Sequence, residues 1–283
     1  MSNETNYSST VGNITTVSAV SREQIVNNLK YSASLKYKNI CDTSFYSVNK
    51  ANMPIALVGG GPSLKTNLDE LRSFNGFIWA CGSVHDYLLK NGIAPHACVV
   101  CDPDPIAANY LNKASGATLY YIASQCDPVV FNKLKANAVV VWHCYNNNRE
   151  DIEANFPGFK AFGGGCTVGL RALTLAFAMN FTNIHLFGFD SCLSEDGEHH
   201  SYGFNSGEEV GEVFEVLLDK VGGKIYKALG YQLAQVQHFN EFYRNYGDKF
   251  TPVFHGTGLL PDLFDRIKAE AQKIMKETTN GST

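Results

Sequence analysis

IALVGGGPSLKTNLDEL, residues 55–71, decides the fold. Four apolar residues, Ile55 to Val58, run into Gly59-Gly60-Gly61-Pro62-Ser63 and then into a short amphipathic stretch. A strand that ends in glycines and opens a helix leaves unpaired backbone N–H groups above a sheet, where an anion can accept them. Pro62 suits the first position of a helix, and Ser63 can cap it or donate to a phosphate oxygen. The loop is not a P-loop, having no following Gly-Lys-Ser/Thr, and it lacks the third glycine of the dinucleotide fingerprint.

The same grammar repeats on either side. Strands are expected at Ile55–Val58, Gly76–Cys81, Ala97–Cys101, Thr118–Ala123, Ala138–His143 and Ile184–Phe187. Helices are expected at Leu68–Arg72, Val84–Asn91, Pro105–Lys113, Asp127–Lys133 and Val168–Asn180. Strands without polar alternation, separated by helices, predict an α/β, Rossmann-like, mostly parallel sheet with helices on both faces, and a small C-terminal helical or lid region. Four regions follow: a flexible arm at 1–20, a lead-in helix and linker at 21–52, a nucleotide-binding core at 53–205, and a helical extension at 206–283. Within the extension, Glu208–Lys220 reads as a helix, the VGGKIYKAL segment as a glycine-turned strand or hairpin, and Gln232–Arg244 as a helix. A short strand is expected before Gly256-Thr257-Gly258, then a closing helix.

Ligands of such sheets sit beyond the carboxyl ends of the strands. There the sequence places Gly59, Gly60 and Gly61, then Cys81, Gly82 and Ser83, then Asp102 and Asp104, then His143, and Gly188 with Asp190. Asp102 and Asp104 at alternate positions suit a divalent cation held against phosphates or a ribose hydroxyl, and Asp104-Pro105 equally suits a helix cap. A second glycine loop, FGGGCTVGLRALTLAFAMNF, brings Gly164, Gly165 and Thr167 to the start of an apolar helix, as phosphate or sugar contacts or as close-packing residues. Asp190, Glu195, Asp196, Glu198, His199, His200 and Tyr202 crowd the next loop, where either histidine can serve as a general base and a solvated polar loop is the alternative.

Composition narrows the partners. A net charge of −4 on 283 residues gives no broad footprint for nucleic acid. Eight cysteines, several inside apolar runs, do not form a disulfide scaffold, and neither a signal peptide nor a membrane-length apolar window is present, so a reducing, cytoplasmic setting is expected.

VGGGPSL, CGSVHDYLLKNGIAPHACVVCDPDP, GGGCTVGLRALTLAFAMNFTNIHLFGFD and the loop with His199 together resemble the MAF/DUF115 family. It includes motility-accessory proteins linked to adding nonulosonic acids to flagellin and 6-hydroxymethylpterin pyrophosphokinases of the MptE type. The core also resembles bacterial CMP-sialic acid-dependent sialyltransferases. The resemblance covers roughly residues 53–205. It implies that Gly59, Gly61, Pro62 and Ser63 form a nucleotide-phosphate loop, that Asp102 and the Gly188/Asp190 pair are family positions, and that His200 or His199 is the histidine beyond them. Where sialyltransferases carry asparagine near Gly60 and Gly82, this chain has glycine.

The expected activity is that of a glycosyltransferase using a nucleotide-activated sugar, with no tightly bound cofactor. Catalysis is expected from His199, His200 and Asp190, with Tyr202 near the departing phosphate. The acceptor is expected to be a small glycan, a lipid-linked sugar or a modified base. The alternatives are a Mg²⁺-dependent diphosphokinase of the 6-hydroxymethylpterin type, with metal on Asp102 and Asp104, and a non-catalytic nucleotide-binding module.

Overall fold

The computed structural model of the chain describes residues 8–11, 14–18, 20–145, 147–203, 211–218 and 223–280. In chain order these form β1 (Ser8–Val11), β2 (Ile14–Val17), α1 (Arg22–Ser34), α2 (Ser44–Ser47), β3 (Lys50–Val58), α3 (Leu68–Arg72), β4 (Phe77–Cys81), α4 (Val84–Lys90), β5 (Ala97–Val100), β6 (Leu119–Ala123) and α5 (Pro128–Lys133). There follow β7 (Ala138–Cys144), α6 (Arg149–Asn155), β8 (Ala161–Phe162), α7 (Val168–Ala178), β9 (Phe181–Phe187), β10 (Val213–Leu217), β11 (Ile225–Leu229), α8 (Gly230–Tyr246), β12 (Thr251–His255) and α9 (Leu259–Asn280).

Eight strands build the main sheet in the order β12-β9-β3-β4-β5-β6-β7-β8, and every pairing in it is parallel. Ile55, Ala56, Leu57 and Val58 are completely buried, as are the residues they face on α7, including Leu173 and Ala176. With helices on both faces neither side of Ile55–Val58 meets water, which is why this apolar run shows no alternation. Each such fully buried branched side chain contributes about 1.5 to 3 kcal/mol.

The chain runs from β3 outward through β4 to β8, then returns to lay β9 on the other side of β3. Crossovers therefore leave β3 and β9 in opposite directions. Their carboxyl ends part, and a crevice opens between the loops that follow them.

The structure departs from the sequence reading in four places. β3 begins at Lys50, five residues earlier than Ile55. Lys50 is fully buried, its Nζ donating to the carbonyls of Val48 at 2.7 Å and Met179 at 2.9 Å beside the Phe45 ring. A lysine satisfied by main-chain carbonyls behaves as a core residue although composition marks it as surface.

The expected helix Glu208–Lys220 is, over Val213–Leu217, the strand β10, paired antiparallel with β11. Val213-Phe214-Glu215-Val216 carries β-branched and aromatic residues that fit a pleated ribbon better than a helix. Residues 208–210 and 219–220 of that expected helix lie outside the described residues. In the first twenty positions, Ser8–Val11 and Ile14–Val17 pair antiparallel, and residues 1–7, 12–13 and 19 lie outside the described residues.

β12 extends the main sheet beside β9, so the last segment of the chain completes the sheet as well as covering it. His143, expected at the ligand edge, is instead sealed inside. Its ring lies 2.6 Å from Asn39 Nδ2 and 2.9 Å from Ser124 Oγ, and burial pushes its pKa down to about 4.

Candidate active site

The crevice between β3 and β9 is floored by glycines. Gly59 N–H donates to Phe187 O at 2.8 Å and Gly61 N–H to Gly188 O at 2.9 Å. The two loops thus continue the pairing of their strands by one more rung. Gly188 sits at φ +65, and a Cβ there would lie 2.5 Å from Gly59 O, so only glycine lets the loops close on each other.

Ser63 is the second residue of the short 3₁₀ turn Pro62–Thr66, and Asp190 takes its donors: Ser63 N–H reaches Oδ2 at 2.6 Å and Ser63 Oγ reaches Oδ1 at 2.6 Å. A carboxylate of the protein itself fills the position where an external anion was expected. Asp190 is 3% exposed, and burial raises its pKa to about 6 against the lowering effect of the Ser63 bonds. Its carboxylate faces the opposite side of the glycine loop from the crevice, beside Pro62, Thr66 and Gly258. In this arrangement Asp190 positions the loop.

The loop after β9 then folds back over the glycines. Ser201 N–H donates to Gly60 O at 2.8 Å, and Ser201 Oγ donates to Gly61 O. This clamp sets His200 and Tyr202 against Gly60, where an added Cβ would lie 2.4 Å from His200 Cδ2 and 2.7 Å from Tyr202 Oη. Tyr202 stacks on Tyr87 at 5.0 Å between ring centroids and shares a 2.6 Å hydrogen bond with Ser83 Oγ. It buttresses the histidine from behind.

His200 Nδ1 lies 3.0 Å from His199 Nδ1, which in turn lies 3.2 Å from Tyr231 Oη on α8. In the tautomer that carries the His200 proton on Nδ1, this N–H donates to His199 Nδ1, with the Tyr231 hydroxyl beside it. That tautomer leaves His200 Nε2 unprotonated beside Gly60. Burial, with a smaller contribution from His199, lowers the His200 pKa to about 4, and burial lowers that of His199. Both rings are therefore neutral at pH 7 and able to accept a proton.

The opposite wall is the start of α7. Thr167 caps it, its Oγ1 accepting from Leu170 N at 3.4 Å while its carbonyl accepts from Arg171 N at 3.1 Å. The N–H groups of Val168 and Gly169 are left for a ligand, at the positive end of an eleven-residue helix. Removing the cap by Thr167→Ala is expected to cost about 1 kcal/mol in a urea titration.

The cleft is thus lined by Gly59, Gly60, Gly61, Cys81, Ser83, Thr167, Gly188, His199 and His200 among the residues expected from sequence. Burial holds the Cys81 thiol at about 12, so it stays protonated. Cys166, at the second glycine loop, is also raised, to about 11. The remaining expected residues lie elsewhere. Gly164 and Gly165 border a separate cavity between α7 and α8. Gly82 turns the chain ahead of Ser83 at φ +58. Asp102 is exposed beyond β5, accepting from Asp104 N at 3.0 Å, and Asp104 caps the turn Pro105–Leu111 through Ile106 N at 2.8 Å. Glu195, Asp196 and Glu198 are exposed, and Glu198 pairs with Lys65 at 2.6 Å.

Sequence reasoning missed Ser191, Tyr231, Gln232 and Gln235, all of which line the cleft. The last three reach it from α8, and nothing local in that helix marks them. The cleft is open to solvent along one side and has a cavity volume of about 160 Å³. That is room for one phosphoryl-sized group, with the remainder of a ligand in the open mouth. Among the described residues no cluster of three or more His, Cys, Asp or Glu is arranged to hold a metal ion, and no helix is long and apolar enough to cross a membrane.

The family described as 6-hydroxymethylpterin diphosphokinase MptE-like matches residues 23–196, more than half of the chain. A search of curated proteins finds no match. Among solved structures, the MAF glycosyltransferase from Magnetospirillum magneticum AMB-1 aligns with a TM-score of 0.62 and 19% identity, over 83% of this chain and 37% of that one. The chain therefore spans well under half the length of that enzyme, and the likeness is one of fold. The sialyltransferase CstII from Campylobacter jejuni, solved with cytidine-5'-monophosphate, aligns over 76% of this chain and 88% of its own at 14% identity, with a TM-score of only 0.31.

Proposed function

The chain belongs to the 6-hydroxymethylpterin diphosphokinase MptE-like family, within the MAF/DUF115 grouping, and from that premise we propose that it is a transferase acting on a nucleotide-activated sugar. The observation that carries the reading is the meeting, across one cleft, of two things: a neutral, hydrogen-bonded histidine pair, and a helix start whose first N–H groups make no intrahelical bond. The first accepts a proton from an attacking hydroxyl. The second stabilises a phosphate that gathers charge as its bond to the sugar breaks.

In this mechanism His200 Nε2 is the general base. His199 and Tyr231 hold its tautomer, Tyr202 fixes the ring through its contact with Ser83, and Asp190 keeps the glycine loop in place through Ser63. The departing nucleotide phosphate rests on Val168 and Gly169 N–H. The acceptor is a small glycan, a lipid-linked sugar or a modified base, and the setting cytoplasmic.

A second reading is favoured by the family's own description. A diphosphokinase would bring a nucleoside triphosphate with Mg²⁺ toward the exposed Asp102 and pass a diphosphoryl group to an acceptor hydroxyl. Thermal-shift measurements against CMP, CDP, UDP, GDP, AMP and a non-hydrolysable ATP analogue, each with and without Mg²⁺, separate the two. A ligand at 100 times its Kd stabilises by about 2.7 kcal/mol, a rise of several degrees. The transferase reading expects that rise from CMP or another sugar-carrier nucleotide without metal. A rise from the ATP analogue only with Mg²⁺ would select the diphosphokinase, and no rise from any of them would leave a fold without the proposed ligand.

A further inference from the structure

Ser191 is the one residue of the cleft whose conformation and surroundings the protein alone does not explain. It follows Asp190, is 5% exposed, and its Oγ has no hydrogen-bond partner although it is buried against the cleft. Its backbone stands at φ +55, the left-handed region that a residue with a Cβ enters at a cost. An unpaired buried hydroxyl forfeits its hydration and gains nothing in return. Two unfavourable features at one position, both facing the same cavity, mark a group held ready for something that binds there.

What binds is indicated by the neighbours. The same cavity receives Val168 and Gly169 from the first turn of α7, and Gly60 from the floor, while Gly59 and Gly61 have spent their N–H groups on Phe187 and Gly188. No lysine or arginine is among the described residues that line it. The cavity therefore offers N–H dipoles and hydroxyls without a charged side chain, in a volume that fits one phosphoryl group.

We propose that Ser191 Oγ donates a hydrogen bond to a phosphate oxygen of the bound nucleotide, forming with the start of α7 a phosphoryl subsite. The assignment rests on reading the cleft as a nucleotide site. It deepens that reading by naming the residue that grips the leaving phosphate.

The test uses the full chain, Ser191→Ala and Ser191→Gly, with inorganic phosphate, pyrophosphate and CMP as probes in calorimetric titrations. A hydrogen bond to an ionised oxygen predicts about a tenfold loss of affinity for phosphate and CMP in both variants. The ligand-free melting temperature is expected to stay level or rise, because an orphaned hydroxyl has gone and, in the glycine variant, the left-handed strain with it. Opposite movement of affinity and stability is a result that a merely structural serine does not give. Unchanged affinity, or affinity falling only together with melting temperature, overturns the proposal, as does a parent protein that binds neither phosphate nor pyrophosphate. Phosphate binding that requires Ser191 in a protein indifferent to CMP would uphold the subsite and sink the nucleotide-sugar reading instead.

Discussion

Gly60→Ala is expected to lower turnover by about two orders of magnitude or more while the protein remains folded. Gly60 has an ordinary backbone conformation, so alanine is allowed there as far as the main chain is concerned. The obstruction is the new Cβ, 2.4 Å from His200 Cδ2 and 2.7 Å from Tyr202 Oη. Both atoms belong to side chains rather than to the main chain, so the displacement falls on the base and its tyrosine buttress. A catalytic group moved by about 1 Å loses on the order of 100-fold in rate. His200→Ala should lose a comparable amount, and the double variant little more than either, since both remove the same proton transfer. Gly116→Ala, where nothing lies within 4 Å of the added carbon, is the control. Rates with the donor found by the ligand screen, beside circular-dichroism melts, decide the matter, and a Gly60→Ala enzyme of normal rate would remove His200 from the mechanism.

The second large effect is a dependence of stability on pH. Asp190, at 3.8 in an unfolded chain, is raised to about 6 by burial. Between those values the folded protein holds a proton that the unfolded chain has released. Stability contributed by this group is therefore greatest below about pH 4, declines as pH rises to about 6, and stays at its lower level above. A shift of about two units corresponds to roughly 3 kcal/mol.

Asparagine copies the neutral acid at this site: Oδ1 accepts from Ser63 N–H and Nδ2 donates to Ser63 Oγ. Asp190→Asn should accordingly be more stable than the parent by about 2 to 3 kcal/mol at pH 7.5 and no different near pH 4. His143 and His200, both held near 4, slope the other way, losing stability as pH falls from about 6.5 toward 4. They are common to both proteins, so the difference between the two isolates Asp190. Urea titrations at the two pH values give it directly, and an Asn variant less stable at pH 7.5 would show the carboxylate to be a net stabiliser.

The order of strands and helices could be read from residues 55–187 because burial on both faces writes itself into composition: uninterrupted apolar runs, broken by glycine and proline. The glycine floor was legible for the same reason, as Gly59 and Gly188 each follow a strand directly, and the histidines stood out by the density of polar residues in the loop beyond β9. What could not be read depends on distance along the chain. Lys50 looks like a surface lysine until Met179 O is brought to it, and His143 looks like an edge residue until Asn39 and Ser124 enclose it. The wall supplied by Tyr231, Gln232 and Gln235 exists only because α8 returns over the crevice. Asp190 and Ser63 were each noticed, but their pairing was not, because they lie on opposite sides of a strand pairing that no local pattern reports.

That pairing also sets the order in which the molecule can be made. Ile55, fully buried at the middle of the finished sheet, faces Ile184, which leaves the ribosome more than a hundred residues later. Until then β3 is an open border, apolar on both sides and unpaired along one side, the kind of edge on which other chains dock. Contacts of such long sequence separation are slow to form, and the cleft, floored by the loops of both strands, cannot exist in any truncated chain that ends before residue 187. The same strand that makes the site thus makes the nascent protein a natural client for a chaperone.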